Sequence, residues 1–333
     1  MSSRLFGVGI GGPSLTDRER EILRRCPPWA VILFRRNIES AGQLAALAAD
    51  LKTLAGPPVL CLDQEGGPVD RLKEVLGASI SFAAASRRGV ARLAGHLAAE
   101  SCRSFGFDVD LAPVVDRGLP EAGALVLGER CAAAQPERIE QAAREFLEGL
   151  HARGVGGCLK HFPGLGRARQ DTHTSLPKLE TDPEEERLDL APFAALMDAA
   201  CAVMISHAAG PDGRPASLSR DVGTNLLRGR LGFQGAAFSD DLEMGALSAF
   251  GDLPARAAQA CLAGCDLLLV CKEIEAYPGC VEAVLKDVAP RRRAEAAGRL
   301  QTYSRHLETM RQLAPLAQRP REDLIAAIAE LRS

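Results

Sequence analysis

VLCLDQEGG, residues 59–67, opens on four apolar side chains, turns to Asp63 and Glu65, and closes on two glycines. An unbroken apolar run fits a strand buried on both faces of a parallel sheet, where the in–out alternation of a half-exposed strand is lost. Charged groups at the end of such a strand are costly to bury unless they are paired or used. The same pattern recurs along the chain. GVGGCLKHFPG (154–164) delivers Lys160 and His161, AVMISH (202–207) delivers His207, and GAAFSDD (235–241) delivers Asp240 and Asp241. With further apolar runs near Leu5–Ile10, Ala30–Phe34, Phe107–Leu111 and Asp266–Val270, the strand candidates number eight.

Helical punctuation fills the intervals. Thr16 with Glu19 and Ser40 with Gln43 fit capping boxes, and Gly56 suits the end of the second helix. Pro136 fits a first helical turn, followed by a stripe of Ile139, Ala142, Ala143, Phe146, Leu147 and Leu150 that stops before Gly154. Strands alternating with helices predict an α/β fold, a (β/α)8 TIM-like barrel formed as one domain by residues 1–333. A doubly wound open sheet is the alternative, because strand order is not written in one sequence. The segment from about residue 290 onward reads as C-terminal helices packed on the barrel, with PRRRAEAAGR (290–299) a solvated helical face.

Composition narrows the function. Forty basic against 43 acidic residues give a net charge of −3, with no basic block, so neither nucleic acid nor an anionic membrane is an expected partner. Ten cysteines at scattered positions without CxxC pairs fit reduced, buried thiols. The N-terminal MSSRLFGVGIGGPS lacks a secretory apolar stretch, and no apolar run reaches the roughly 18 residues of a membrane helix. A cytoplasmic location is expected.

In a barrel, chemistry gathers at the C-terminal ends of the strands. The stretch KHFPGLGRARQDTHTSLP (160–177) is long for a connection inside a compact domain, which points to function. In an extended D-x-H step, Asp171 can accept a hydrogen bond from the His173 ring and fix its tautomer for proton transfer. Structural readings stand beside these. Asp63 and Asp240 could cap following helices, Lys160 and His161 could pair with Glu65 for stability, and Asp171–His173 could be a surface turn. A metal site is disfavoured, since H-x-x-x-H and H-x-H are both absent. His96, His151 and His306 lie in helical stretches and read as structural, as do Cys261 and Cys265.

KHFPGLG followed by D-T-H, then FSDDLEMGA, closely resembles glycoside hydrolase family 3, in particular its single-domain bacterial β-N-acetylglucosaminidases. LDQEGG with Arg71 downstream, LGER, ILFRRN, LAPVVD and PASLS extend the resemblance to about Val270. It implies that Asp240 is the nucleophile and His173 the acid/base with Asp171 as its partner. It also implies that Asp63, Arg71, Arg130, Lys160 and His161 bind the sugar. The implied substrate is N-acetylglucosamine β-1,4-linked to 1,6-anhydro-N-acetylmuramic acid, free or carrying a peptide, as met in peptidoglycan recycling. No cofactor or metal is implied. Leu165 stands where the family usually has His, Pro68 where it has Arg, Cys131 where it has Ser, and Thr172 where it has Ser. A broader β-glycosidase, a glycoside phosphorylase and a non-catalytic sugar-binding barrel are the competing functions.

Overall fold

Eight parallel strands carry the architecture: β1 Phe6–Gly9, β2 Ala30–Ile32, β3 Val59–Leu62, β4 Val109–Asp110, β5 Leu159–Phe162, β6 Ala202–Ile205, β7 Ala236–Asp241 and β8 Leu267–Val270. They form an eight-stranded sheet in the order β4-β3-β2-β1-β8-β7-β6-β5. In this computed structural model the described residues are 2–119, 127–168, 176–177, 182–210, 212–314 and 319–333. The two sheet edges meet. Val109 bridges Gly156 and Val114 bridges Lys160, both in parallel sense, with Asp110 N–H donating to Gly156 O at 2.9 Å and Gly156 N–H to Asp108 O at 3.0 Å. That closure makes the sheet a (β/α)8 TIM-like barrel and removes the open-sheet alternative.

Apart from the half-buried Val59 at the start of β3, the strands are buried through their apolar runs, as the missing alternation requires. Thr16 and Glu19 form a complete capping box on the helix Asp17–Arg25. Ser40 caps Ala41–Lys52, but the Gln43 side chain accepts from Glu39 N–H instead of closing the box. That helix ends at Lys52 with Thr53 as its cap, so Gly56 lies beyond its end, in the loop, at φ +73°. Pro136 begins the helix Pro136–His151, and the stripe from Ile139 to Leu150 is buried.

β5 begins four residues later than the apolar run suggests. Gly156 and Gly157 precede it; Gly157 makes room for Leu147 and Leu150 of the helix Pro136–His151, and Gly156 for the C-terminal helix Pro290–Leu313. A Cβ on Gly156 would come within 2.5 Å of the Tyr303 hydroxyl, which donates instead to Gly157 O at 3.0 Å. Tyr303 stacks on Trp29, whose indole N–H donates to Ser304 Oγ at 3.0 Å. This helix therefore closes the N-terminal end of the barrel. Its first turns are not simply a solvated face: Arg292 and Arg299 reach the buried Asp266, with contacts of 2.9 and 3.2 Å, because the helix crosses the barrel floor. All ten cysteines are free thiols, eight of them buried and Cys26 and Cys201 half-buried. Among the described residues no helix is long and apolar enough to cross a membrane.

Candidate functional site

The C-terminal ends of the strands surround a cavity of about 310 Å³. Asp63, immediately after β3, and Glu65, in a short hairpin beyond it, line one wall together with Lys160 of β5. Lys160 is 2% exposed, and its Nζ lies 2.8 Å from Asp63 Oδ1 and 2.5 Å from Glu65 Oε1. Arg71 donates to the other oxygen of Asp63 at 3.1 Å, and Arg130 grips Glu65 with two hydrogen bonds of 2.8 and 3.0 Å. The structural ion pair considered for Lys160 and Glu65 thus exists, but it forms a cavity wall and takes in Asp63 as well. Burial pushes the carboxyls of Asp63 and Glu65 up. The charge of Lys160, joined by Arg71 at Asp63 and by Arg130 at Glu65, outweighs burial and holds both below their ordinary values. Burial likewise acts to neutralise Lys160, and the two carboxylates more than reverse it.

His161 is oriented by Asp116, which the sequence reading did not single out. Asp116 Oδ2 lies 2.6 Å from the ring Nδ1 and accepts the His161 backbone N–H at 3.1 Å, while Oδ1 accepts Leu165 N–H at 2.6 Å. A carboxylate is an acceptor only, so Nδ1 bears the hydrogen. The other ring nitrogen lies 3.3 Å from the Arg130 guanidinium. Asp116 follows Val114, whose bridge to Lys160 carries the chain along β5 past the end of β4. Its signal was the polar end of LAPVVD, hidden by ending the strand at Leu111. Asp110 was also missed, although an acid inside the apolar run FDVDL was a sign. It is fully buried, accepts Gln64 N–H at 2.9 Å with one oxygen, and among the described residues has no hydrogen-bond partner for the other. Burial, with Asp63 and Glu65 nearby, pushes it up to about 8 against the pull of Gln64 N–H and Lys160.

On β7, Asp240 and Asp241 line the same cavity. Asp240 Oδ1 accepts the N–H of Asp241 at 2.8 Å, and among the described residues no cation pairs with Asp240. Asp241 caps locally, accepting Glu243 N–H at 3.1 Å. Burial, then Glu243 and Asp240, push its carboxyl up to about 7. The remaining wall includes Phe34, Arg36, Met204, Leu165, Met244, Cys271 and Lys272. Leu165 is buried in a small apolar cluster with Val114, Leu127, Cys131, Ala168 and Ala208. Pro68 sits exposed at the tip of the Gln64–Asp70 hairpin, outside the cavity wall. His207 is fully buried behind the wall. Of the expected site residues, Asp63, Arg71, Arg130, Lys160, His161 and Asp240 come together around one cavity, and Asp171 and His173 lie outside the described residues.

Residues 10–301 match the family described as the glycosyl hydrolase family 3 N-terminal domain. A Beta-hexosaminidase of Pseudomonas aeruginosa is 38% identical over 273 residues, covering 80% of this chain and 82% of its own. A Beta-hexosaminidase of Xanthomonas oryzae is 36% identical over 307 residues, covering 87% and 89%. NagZ from Neisseria gonorrhoeae, solved in complex with N-trifluoroacetyl-D-glucosamine, aligns over 99% of this chain and 98% of its own, with a TM-score of 0.84 at 27% identity. Barrel, cavity and likenesses together define a glycosidase. The chain belongs to glycoside hydrolase family 3.

Proposed function

We propose that this glycosidase is a retaining exo-β-N-acetylglucosaminidase. On this reading it removes N-acetylglucosamine from 1,6-anhydro-N-acetylmuramic acid, with or without peptide, in the cytoplasmic recycling of peptidoglycan. Asp240 is its nucleophile. The observation that carries the reading is the contrast among the carboxylates of one cavity: Asp63 and Glu65 are held by cations, whereas among the described residues no cation pairs with Asp240, and Asp241 beside it is engaged in a local cap. A carboxylate tied to lysine and arginine is suited to hold sugar hydroxyls in place; one without a cation is suited to form a bond. The names of the aligned relatives, β-hexosaminidases and a structure bound to an N-acylated glucosamine, support the choice of sugar.

In the proposed reaction, Asp240 attacks the anomeric carbon through an oxocarbenium-like transition state as the glycosidic oxygen leaves with a proton from His173. Asp171 orients His173. Water, losing its proton to His173, then cleaves the glycosyl–Asp240 ester and restores both residues. Asp63, Arg71, Arg130, Lys160 and His161 hold the sugar. Retention follows from two inversions at one carbon.

The test uses a disaccharide muropeptide with and without inorganic phosphate, followed by product analysis. Free N-acetylglucosamine in both samples is expected; a sugar 1-phosphate in the second would make the protein a phosphorylase, and no cleavage in either would sink the reading. His173→Ala should lose most with alkyl leaving groups and little with dinitrophenolate, which departs without a proton. A loss of equal size across leaving groups would remove His173 from the acid role.

A further inference from the structure

We propose that His207 is a positioning residue for the Asp240 carboxylate, acting through the backbone of Asp241; this rests on the assignment of Asp240 as nucleophile. The ladder between β6 and β7 pairs Ala202 with Ala236 through Ile205 with Ser239, and stops there. On the other side, the β7–β8 register shifts between Leu267 and Leu269, with the Ser239 hydroxyl inserted to accept Leu269 N–H at 3.0 Å. Of the two residues that follow, Asp240 falls in that shift and Asp241 is paired again, with Leu269 of β8, while among the described residues the β6 side of both has no ladder partner, where placement matters most for chemistry.

The His207 ring takes over from the ladder on the β6 side. It is fully buried two residues beyond the end of β6, with Nε2 2.8 Å from the Asp241 carbonyl oxygen and Nδ1 2.7 Å from Ser217 Oγ. A carbonyl only accepts, so the hydrogen sits on Nε2, and Nδ1 accepts the Ser217 hydroxyl. Ser217 is itself fixed, its N–H donating to Ser206 O at 2.9 Å. Asp241 is thus held at both ends of its backbone. Its carbonyl is anchored by His207 and by Met244 N–H at 3.0 Å, and its N–H donates to Asp240 Oδ1 at 2.8 Å. That last bond selects the rotamer of Asp240 and leaves its second oxygen for attack. His207 does not line the cavity, and its bond to the Asp241 carbonyl is the route by which it acts on the reacting atom.

The experiment compares His207→Leu, which removes the donor, with His207→Gln, whose side-chain amide can place an N–H near the Nε2 position. The readouts are the saturating rate of trapping by a 5-fluoro N-acetylglucosaminyl fluoride, the inhibition constant of N-acetylglucosamine, and Tm. In His207→Leu, trapping and kcat should fall by about 10²-fold, the scale of a misplaced reacting group. The inhibition constant should stay put, because the Asp63–Lys160 wall is untouched, and His207→Gln should recover most of the rate. Should His207→Leu fail to fold, Ser217→Ala replaces it, with a smaller fall in trapping expected at unchanged inhibition constant. The proposal is overturned if the folded variants are trapped at the wild-type rate. It is equally overturned if sugar affinity falls in step with rate, or if His207→Gln is as slow as His207→Leu at equal Tm. Peptide mass spectrometry of the trapped wild type separates the two levels: an adduct away from Asp240 refutes the nucleophile assignment itself.

Discussion

Two buried charge clusters occupy opposite ends of the same barrel and serve different purposes. At the C-terminal end, Asp63, Glu65, Lys160, Arg71 and Arg130 line a cavity of about 310 Å³ that also holds Asp240. At the N-terminal end, Asp266 is fully buried and surrounded by Arg228, Arg292 and Arg299 at 2.6, 2.9 and 3.2 Å, and it also accepts Ala237 N–H at 3.0 Å. Burial, with its guanidinium neighbours, pulls Arg228 down to about 10 despite Asp266. The chemistry of the two clusters is alike: carboxylates saturated by cations. What differs is the cavity and, in its wall, two carboxylates, Asp240 and Asp241, with which no cation pairs among the described residues. A buried ion network on its own is a fastening, and perturbed charges point to chemistry only where they open on space for a substrate.

Substitutions can break or sharpen that contrast. The largest effect is expected for Asp240→Ala, which should lose several orders of magnitude in kcat with Tm little changed, measured on an aryl N-acetylglucosaminide. Wild-type turnover would take Asp240 out of the reaction. At the opposite end, Asp266→Ala strands three guanidinium groups and should cost about 3–5 kcal/mol of unfolding free energy, while the folded fraction keeps its kcat/KM. Denaturant titration with activity assays on the same samples decides the point; loss of kcat/KM in fully folded protein would mean the two ends are coupled.

Asp63→Ala and Arg130→Ala should each raise the kcat/KM barrier by about 2–4 kcal/mol, the scale of a lost charged hydrogen bond. If either variant kept wild-type kcat/KM, that residue would belong to the fastening class. The smallest effect concerns Asp110. The fold holds its proton up to about pH 8, whereas the unfolded chain releases it near 3.8. Between those values folding takes up a proton, so this group's contribution is complete below pH 3.8 and is lost as pH rises toward 8. Asn cannot titrate, so Asp110→Asn should gain on wild type by about 1.4 kcal/mol of stability for each pH unit, read between pH 6 and 7. A pH-independent difference would show that Asp110 is ionised throughout.

The alternation of apolar runs with helical punctuation determined an α/β fold of eight strands, and polar residues at the strand ends marked one face of it as the candidate site. Both are local patterns: burial on two faces writes a continuous apolar run, and a strand end is the place where a charge can stop being buried. Helix caps such as Thr16 with Glu19 were equally legible, being bonds between residues three apart. Closure through Val109 and Gly156 was decided only in three dimensions, as were the packing of Tyr303 against Gly156, the hold of Asp116 on His161, and the capture of Arg292 and Arg299 by Asp266. Each of these joins groups tens of residues apart or more. A one-dimensional pattern states which residues want burial or charge partners; which partner each one meets is set by packing across the barrel.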